Sequence, residues 1–210
     1  MDKATAIFLL QAVAISLSGV MAPGPITAAT LASGARQRHA GALIAIGHGI
    51  VEFPLMGLLA AGLGAVLRSQ GFRVGVGLAG GAAMIALAVI MLAGLGKTAD
   101  AQEPRRATSP LWTGVILSGS NPYFLLWWAT AGLALMTTAS GFGALALGLF
   151  AITHWLCDLV WLEVLSLASF KGSRVFGPGS QRIVLIICAA AMGVFGVIFI
   201  HGAIQGWVGW

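Results

Sequence analysis

Six stretches of this chain run for about twenty residues or more with almost no charge, and they limit what it can fold into. The hydrocarbon core of a bilayer is about 30 Å thick, so a helix rising ~1.5 Å per residue needs ~20 apolar residues to cross it. Residues 4–22, 40–66, 74–96, 111–137, 143–169 and 183–208 meet that length. Their apolar runs are continuous rather than alternating, which favours helices over a β-barrel. Only 8% of the 210 residues are charged, where a soluble domain carries about 25%, so no separate soluble domain is expected. The reading is an all-α polytopic membrane protein, one domain over 1–210. The first segment lacks a basic leader and its apolar run is long, so a retained helix is expected rather than a cleaved signal.

The net charge of +5 could suggest an acidic partner, but its distribution reads as topology. In a six-helix chain the first, third and fifth loops hold Arg36, Arg38, Lys97, Arg105, Arg106, Lys171, Arg174 and Arg182. The other side holds Lys3, Arg68 and Arg73. Basic residues stay in the cytoplasm, so both termini are expected outside and no nucleic-acid partner is implied. Trp112, Trp207 and Trp210 fit an interfacial aromatic belt. Cys157 and Cys188 lie in apolar segments without a Cys-x-x-Cys partner and read as small buried residues.

Two helix breakers interrupt these apolar runs. Pro23-Gly24-Pro25 removes two backbone donors around a flexible glycine, and Ser118-Gly119-Ser120-Asn121-Pro122 repeats the interruption in the fourth segment. Broken backbone at membrane depth is tolerated only when buried in protein or facing a wet cavity, and its exposed helix ends suit a charged substrate.

Ionisable residues are equally out of place. His48-x-x-x-Glu52 lies inside the second segment and His154-x-x-x-Asp158 inside the fifth. Residues four apart share a helix face, so each histidine can touch its acid. A charge at the bilayer centre costs ~2.5–3.5 kcal/mol on insertion scales, which makes four such groups expensive unless they work. The bland alternative is two private hydrogen bonds satisfying four buried polar groups. Glu163 is ~140° around the helix from Asp158 at ~100° per residue and is expected to face elsewhere, toward Arg174 or a vestibule. His201 reads as a solvated interfacial residue, and His39 as a loop residue without a role. Trp127, Trp128, Trp155 and Trp161 are candidates to wall a cavity.

The halves align. The first half spans 4–96, a cytoplasmic linker 97–110, and the second half 111–210. Each half opens with a broken helix, continues with a His-acid helix and ends with a charge-free helix. Gly80-Gly81-Ala82-Ala83-Met84 matches Cys188-Ala189-Ala190-Ala191-Met192. Three helices is an odd number, so the second half enters the membrane inverted, with a site expected near the midplane. Helix two then runs outward and helix five inward. Gly77-x-x-x-Gly81 and Gly202-x-x-x-Gly206 have the spacing of a close helix–helix seam, and a homodimer is one use for it.

Three functions fit the four polar groups. Glu52 and Asp158 can carry protons, tuned or relayed by His48 and His154. The carboxylates can bind an amino group while a helix end at Pro23, Gly24 and Pro25, or at Asn121 and Pro122, receives a carboxylate. Or His48, Glu52, His154 and Asp158 can converge on a divalent metal. An enzyme is not expected: His-Glu-x-x-His and Gly-x-Ser-x-Gly are both missing.

Ala22-Pro23-Gly24-Pro25, the following basic turn, Gly41, Gly47, Glu52, Asn121-Pro122 and Asp158-x-x-Trp161 together resemble the lysine-exporter (LysE/RhtB) superfamily of small six-helix exporters. The resemblance spans most of the chain. It implies export of an amino acid or related small solute across the cell inner membrane, driven by a proton or cation gradient, with no cofactor. Pro23, Gly24, Pro25, Glu52, Asn121, Pro122 and Asp158 are the functional positions it implies. The chain departs from the family pattern at His48 and His154, where apolar residues are common, and at Glu52, where the pattern has Asp. A divalent cation cargo is the alternative that those histidines keep open.

Overall fold

A computed structural model describes residues 3–208 apart from 65, 67, 68, 95–108 and 176. Among these residues all regular structure is helical. In chain order the helices are α1 (Lys3–Val20), α2 (Pro25–Gly34), α3 (Ala40–Leu58), α4 (Gln70–Gly94), α5 (Pro110–Gly119), α6 (Pro122–Trp127), α7 (Leu133–Gly141), α8 (Ala144–Val175) and α9 (Gly177–Val208). A π-helical turn, Leu59–Leu63, extends α3, and another, Trp128–Gly132, joins α6 to α7. Among the described residues six spans are long and apolar enough to cross a membrane: Lys3–Val20, Ala40–Gly62, Gln70–Gly94, Tyr123–Gly141, Ala144–Gly172 and Leu185–Gln205. The linker expected over 97–110 falls outside the described residues except for Ser109 and Pro110.

Both breakers break their helices, but at different places. α1 ends at Val20, and α2 restarts at Pro25 after an extended Gly24. In the fourth segment the short helix comes first. α5 ends at Gly119, and Asn121 caps the new helix with its Oδ1 accepting from Tyr123 N at 3.1 Å. The apolar span therefore begins at Tyr123 and runs to Gly141, rather than covering 111–137. The shift follows from Pro122, which has no N–H to continue α5 and sits where a first-turn N–H would be unpaired anyway.

The surface is inside-out relative to a soluble protein. Ile50, Leu145, Ile152, Val160, Ile187 and Val194 are exposed, while Ser16, Thr30, Glu52, Ser118 and Ser166 are buried. Lipid accepts apolar side chains as readily as the core does, so polar groups gather inside.

α3 lies between α5 and α8 at backbone contact, because its glycines leave room. A Cβ on Gly47 would stand 2.0 Å from Leu111 O, and one on Gly41 would stand 2.1 Å from Leu162 O. Gly114 of α5 faces Ile44 O in the same way, at 2.2 Å. Trp155 of α8 donates its indole N–H to Ala45 O at 3.0 Å, which ties the α3–α8 crossing. The Gly77-x-x-x-Gly81 spacing is used within the chain rather than between copies. Gly77 packs on Ala203, and Gly81 packs on Gly196 O of α9. Gly202, by contrast, has nothing near its Cβ position.

Gly114→Ala is expected to destabilise the protein by about 1–3 kcal/mol, since a methyl there meets backbone that cannot swing aside. Gly57→Ala, which adds its methyl to open space, is expected to be neutral or mildly stabilising. Thermal unfolding in detergent micelles compares the two.

Candidate functional site

Gly47, Gly49 and Gly41 bring α3 against α5 and α8, and this places His48, Glu52, His154 and Asp158 in one cluster. All four are buried. Within α3, His48 Nε2 stands 3.2 Å from Glu52 Oε1. Within α8, His154 Nε2 stands 3.8 Å from Asp158 Oδ2. The crossed distances are as short: His154 Nε2 to Glu52 Oε1 is 3.2 Å, and His48 Nε2 to Asp158 Oδ1 is 3.7 Å. Each imidazole therefore sits between both carboxylates, and the two sequence pairs form one site rather than two private bonds.

Two serines hold the rings from behind. Ser118 Oγ is 2.7 Å from His48 Nδ1, and Ser16 Oγ is 2.7 Å from His154 Nδ1. The Ser118 hydroxyl already donates to Gly114 O at 2.6 Å, one turn back in α5. Its proton is thus committed, and His48 Nδ1 must be the donor to Ser118. His48 Nε2 then either carries a second proton toward Glu52 or offers a lone pair to a protonated Glu52. In both forms one proton lies between His48 and Glu52. Trp128, at the π-helical turn, donates its indole N–H to the same Glu52 Oε1 at 3.3 Å. Its neighbour Trp127 stacks on His154 with ring centres 4.8 Å apart. Glu52 Oε2 and Asp158 Oδ2 are buried without a hydrogen-bond partner among the described residues.

The helix breaks share this space. Gly19, Pro23, Gly24, Pro25 and Thr27 line one cavity together with the four ionisable groups, Asn121, Tyr123, Trp127 and Trp128. Its interior offers about 80 Å³ to the centres of water-sized molecules, room for several waters. No lysine or arginine lines it among the described residues. α2 opens on Pro25 with no side-chain cap, and its first residues, Pro25, Ile26 and Thr27, line the same cavity as the carboxylates. The donor set also has the closeness a metal ion needs: ligand atoms of His48, Glu52 and Asp158 all lie within 4.8 Å of one another.

Away from the cluster, α8 clamps the turn between α2 and α3. Glu163 pairs with His39 Nδ1 at 2.5 Å and accepts from Ala42 N at 2.9 Å, so it faces away from the cavity as expected, while the side chain of Arg174, its expected neighbour, lies outside what the structure describes. The carboxylate is drawn to the unpaired N–H groups at the start of α3. Ser166 Oγ donates to Arg38 O at 2.9 Å, and Ser169 Oγ to Leu31 O at 2.7 Å. His39 thus has a partner that sequence reading did not assign. His201 is exposed and bonds Gln205 at 2.9 Å. Of the four candidate cavity tryptophans, Trp127 and Trp128 line the cavity, whereas Trp155 ties α8 to α3.

Ser16 and Ser118 are the site residues that sequence reading missed, and Trp128, expected only to wall a cavity, also bonds Glu52. A signal existed for the serines: Ser16-x-Ser18 precedes the first break and Ser118-x-Ser120 leads into the second. Ser118→Ala is expected to leave the His48 Nδ1–H without its acceptor, lowering stability by about 1–3 kcal/mol. Nitrogen-15 spectra of labelled histidines should then show the His48 proton redistributed between Nδ1 and Nε2, while His154 is unchanged.

The family model of LysE type translocators matches residues 17–203, which takes in both breaks and all four ionisable groups. No curated protein and no solved structure matches the chain. A six-span helical chain matched over nearly its whole length belongs to the LysE type translocator family, and it is a membrane transporter rather than an enzyme.

Proposed function

We propose that this protein exports an amino acid or related small solute from the cytoplasm, in exchange for protons held by His48, Glu52, His154 and Asp158. The observation that carries the reading is Glu52 Oε1, which lies 3.2 Å from both imidazoles inside a cavity lined by both helix breaks. The substrate's ammonium would lie against Glu52 Oε2 and Asp158 Oδ2, which accept no hydrogen bond among the described residues. Its carboxylate would lie at the uncapped N-terminus of α2, beside Pro23, Gly24 and Pro25. Asn121 and Pro122 form the second break; Asn121 lines the cavity as well. Protons and ammonium compete for the same carboxylates, and that competition would couple the two fluxes.

The halves would be inverted repeats in an inner membrane, with both termini outside. Two crossed bonds support this: each histidine is anchored by a serine from the opening helix of the other half. The α8 clamp on the α2–α3 turn lies among Arg36, Arg38 and Lys171, so it would close the cytoplasmic side.

Uptake into everted vesicles, with and without a proton gradient, tests the reading. Glu52→Gln and Asp158→Asn are each expected to slow transport by roughly tenfold or more, about 1.4 kcal/mol of barrier per tenfold. Variants that both match the parent would sink the proton mechanism.

The close ligand atoms of His48, Glu52 and Asp158 favour a second reading, in which the cargo is a divalent metal and His154 completes the set. Titrating the purified protein with Zn, Mn and Ni at neutral pH, beside a His48→Ala, His154→Ala variant, separates the two. Binding that the double variant loses supports a metal cargo; no binding by the parent removes it.

A further inference from the structure

A second and larger cavity adjoins the central one. It lies between the first turns of α4, the turn after α6 and the C-terminal part of α9, and offers about 650 Å³, in the range of small-molecule sites. Tyr123 and Trp127 line both cavities and so form the partition between them. Both lean on Gly19, near the end of α1. The Tyr123 hydroxyl meets Gly19 O at 3.5 Å, and a Cβ on Gly19 would stand 2.4 Å from Trp127 Nε1. The partition is therefore seated on the helix that ends at the first break.

The two chambers differ in charge. The central one is lined by two carboxylates, whereas the outer one is lined by Arg73. No ion pair among the described residues involves Arg73. Resting on the exporter reading, which puts the α3–α4 loop and the end of α9 outside, we propose that this cavity is an exit vestibule. It would hold the solute by its carboxylate at Arg73 after the Tyr123–Trp127 partition is passed. A zwitterion fits both chambers in turn: its ammonium faces the acids in the first, and its carboxylate faces the guanidinium in the second. A metal cation would gain nothing from Arg73.

Thr130 lines the vestibule and is exposed, while Cys157 and Cys188 are buried. Thr130→Cys in proteoliposomes is reacted with an anionic methanethiosulfonate and with its trimethylammonium counterpart, the parent chain serving as blank. The anionic reagent should react faster, and Arg73→Gln should slow it by roughly tenfold while sparing the cationic one. Arg73→Lys should keep most of the preference. A mixture of free amino acids should protect the thiol, and their methyl esters, which lack the carboxylate charge, should not. Equal protection by esters, or an Arg73→Gln variant that reacts like the parent, overturns the proposal. So does a thiol that reacts in detergent but not in lipid, because lipid then fills the cavity. Carboxylate-dependent protection without transport in everted vesicles would leave the site standing and sink the exporter reading. Transport without protection would do the reverse.

Discussion

One carboxylate oxygen organises the interior. Glu52 Oε1 is approached by His48, His154 and Trp128, and these rings come from three different parts of the chain. A lone carboxylate so deeply buried would be strongly disfavoured, and taking away one partner of a buried ionic group typically costs about 3–5 kcal/mol. The cluster is therefore tolerable only as a whole. That requirement reaches outward through the fold. The rings must be held at Nδ1 by Ser16 and Ser118, the serines must come from α1 and α5, and α3 must approach its neighbours at glycine distance.

The same economy of polar groups bears on motion. Intact membrane helices satisfy their own backbones and resist bending, so adjustable points sit where that pattern is interrupted. Three such interruptions, the two breaks and the π-helical turn at Trp128, border the cluster, while the π-helical turn Leu59–Leu63 does not line its cavity. The clamp between α8 and the α2–α3 turn is built from polar bonds of a kind worth about 1 kcal/mol each in a membrane. A solute with different affinities for two states can shift a contact of that strength. Under the exporter reading, a closed basic end and a roomy chamber at the opposite end belong to one state of an alternating cycle.

Much of the site could be read from residues alone. His48, Glu52, His154 and Asp158 announced themselves because each is costly in lipid, and i to i+4 spacing on a helix needs no tertiary knowledge. The breakers were legible for the same local reason: proline has no N–H. Trp128 was legible as a cavity wall, but its bond to Glu52 and the ring-holding roles of Ser16 and Ser118 were not, since they depend on what faces those side chains. Glu163 was expected to face away from Asp158, but its partner His39 was not legible, being 124 positions away and outside any helical repeat.

The amino-acid sequence by itself determined six apolar spans, two interruptions and two His-acid pairs, because hydropathy, proline chemistry and helical periodicity act over a few neighbouring residues. Only the tertiary structure decided that the two pairs make one cluster, that the small-residue seam joins α4 to α9, and that Tyr123 and Trp127 divide two chambers. Those outcomes depend on which helices approach closely enough to exchange hydrogen bonds, and that is set by packing between residues far apart in the chain.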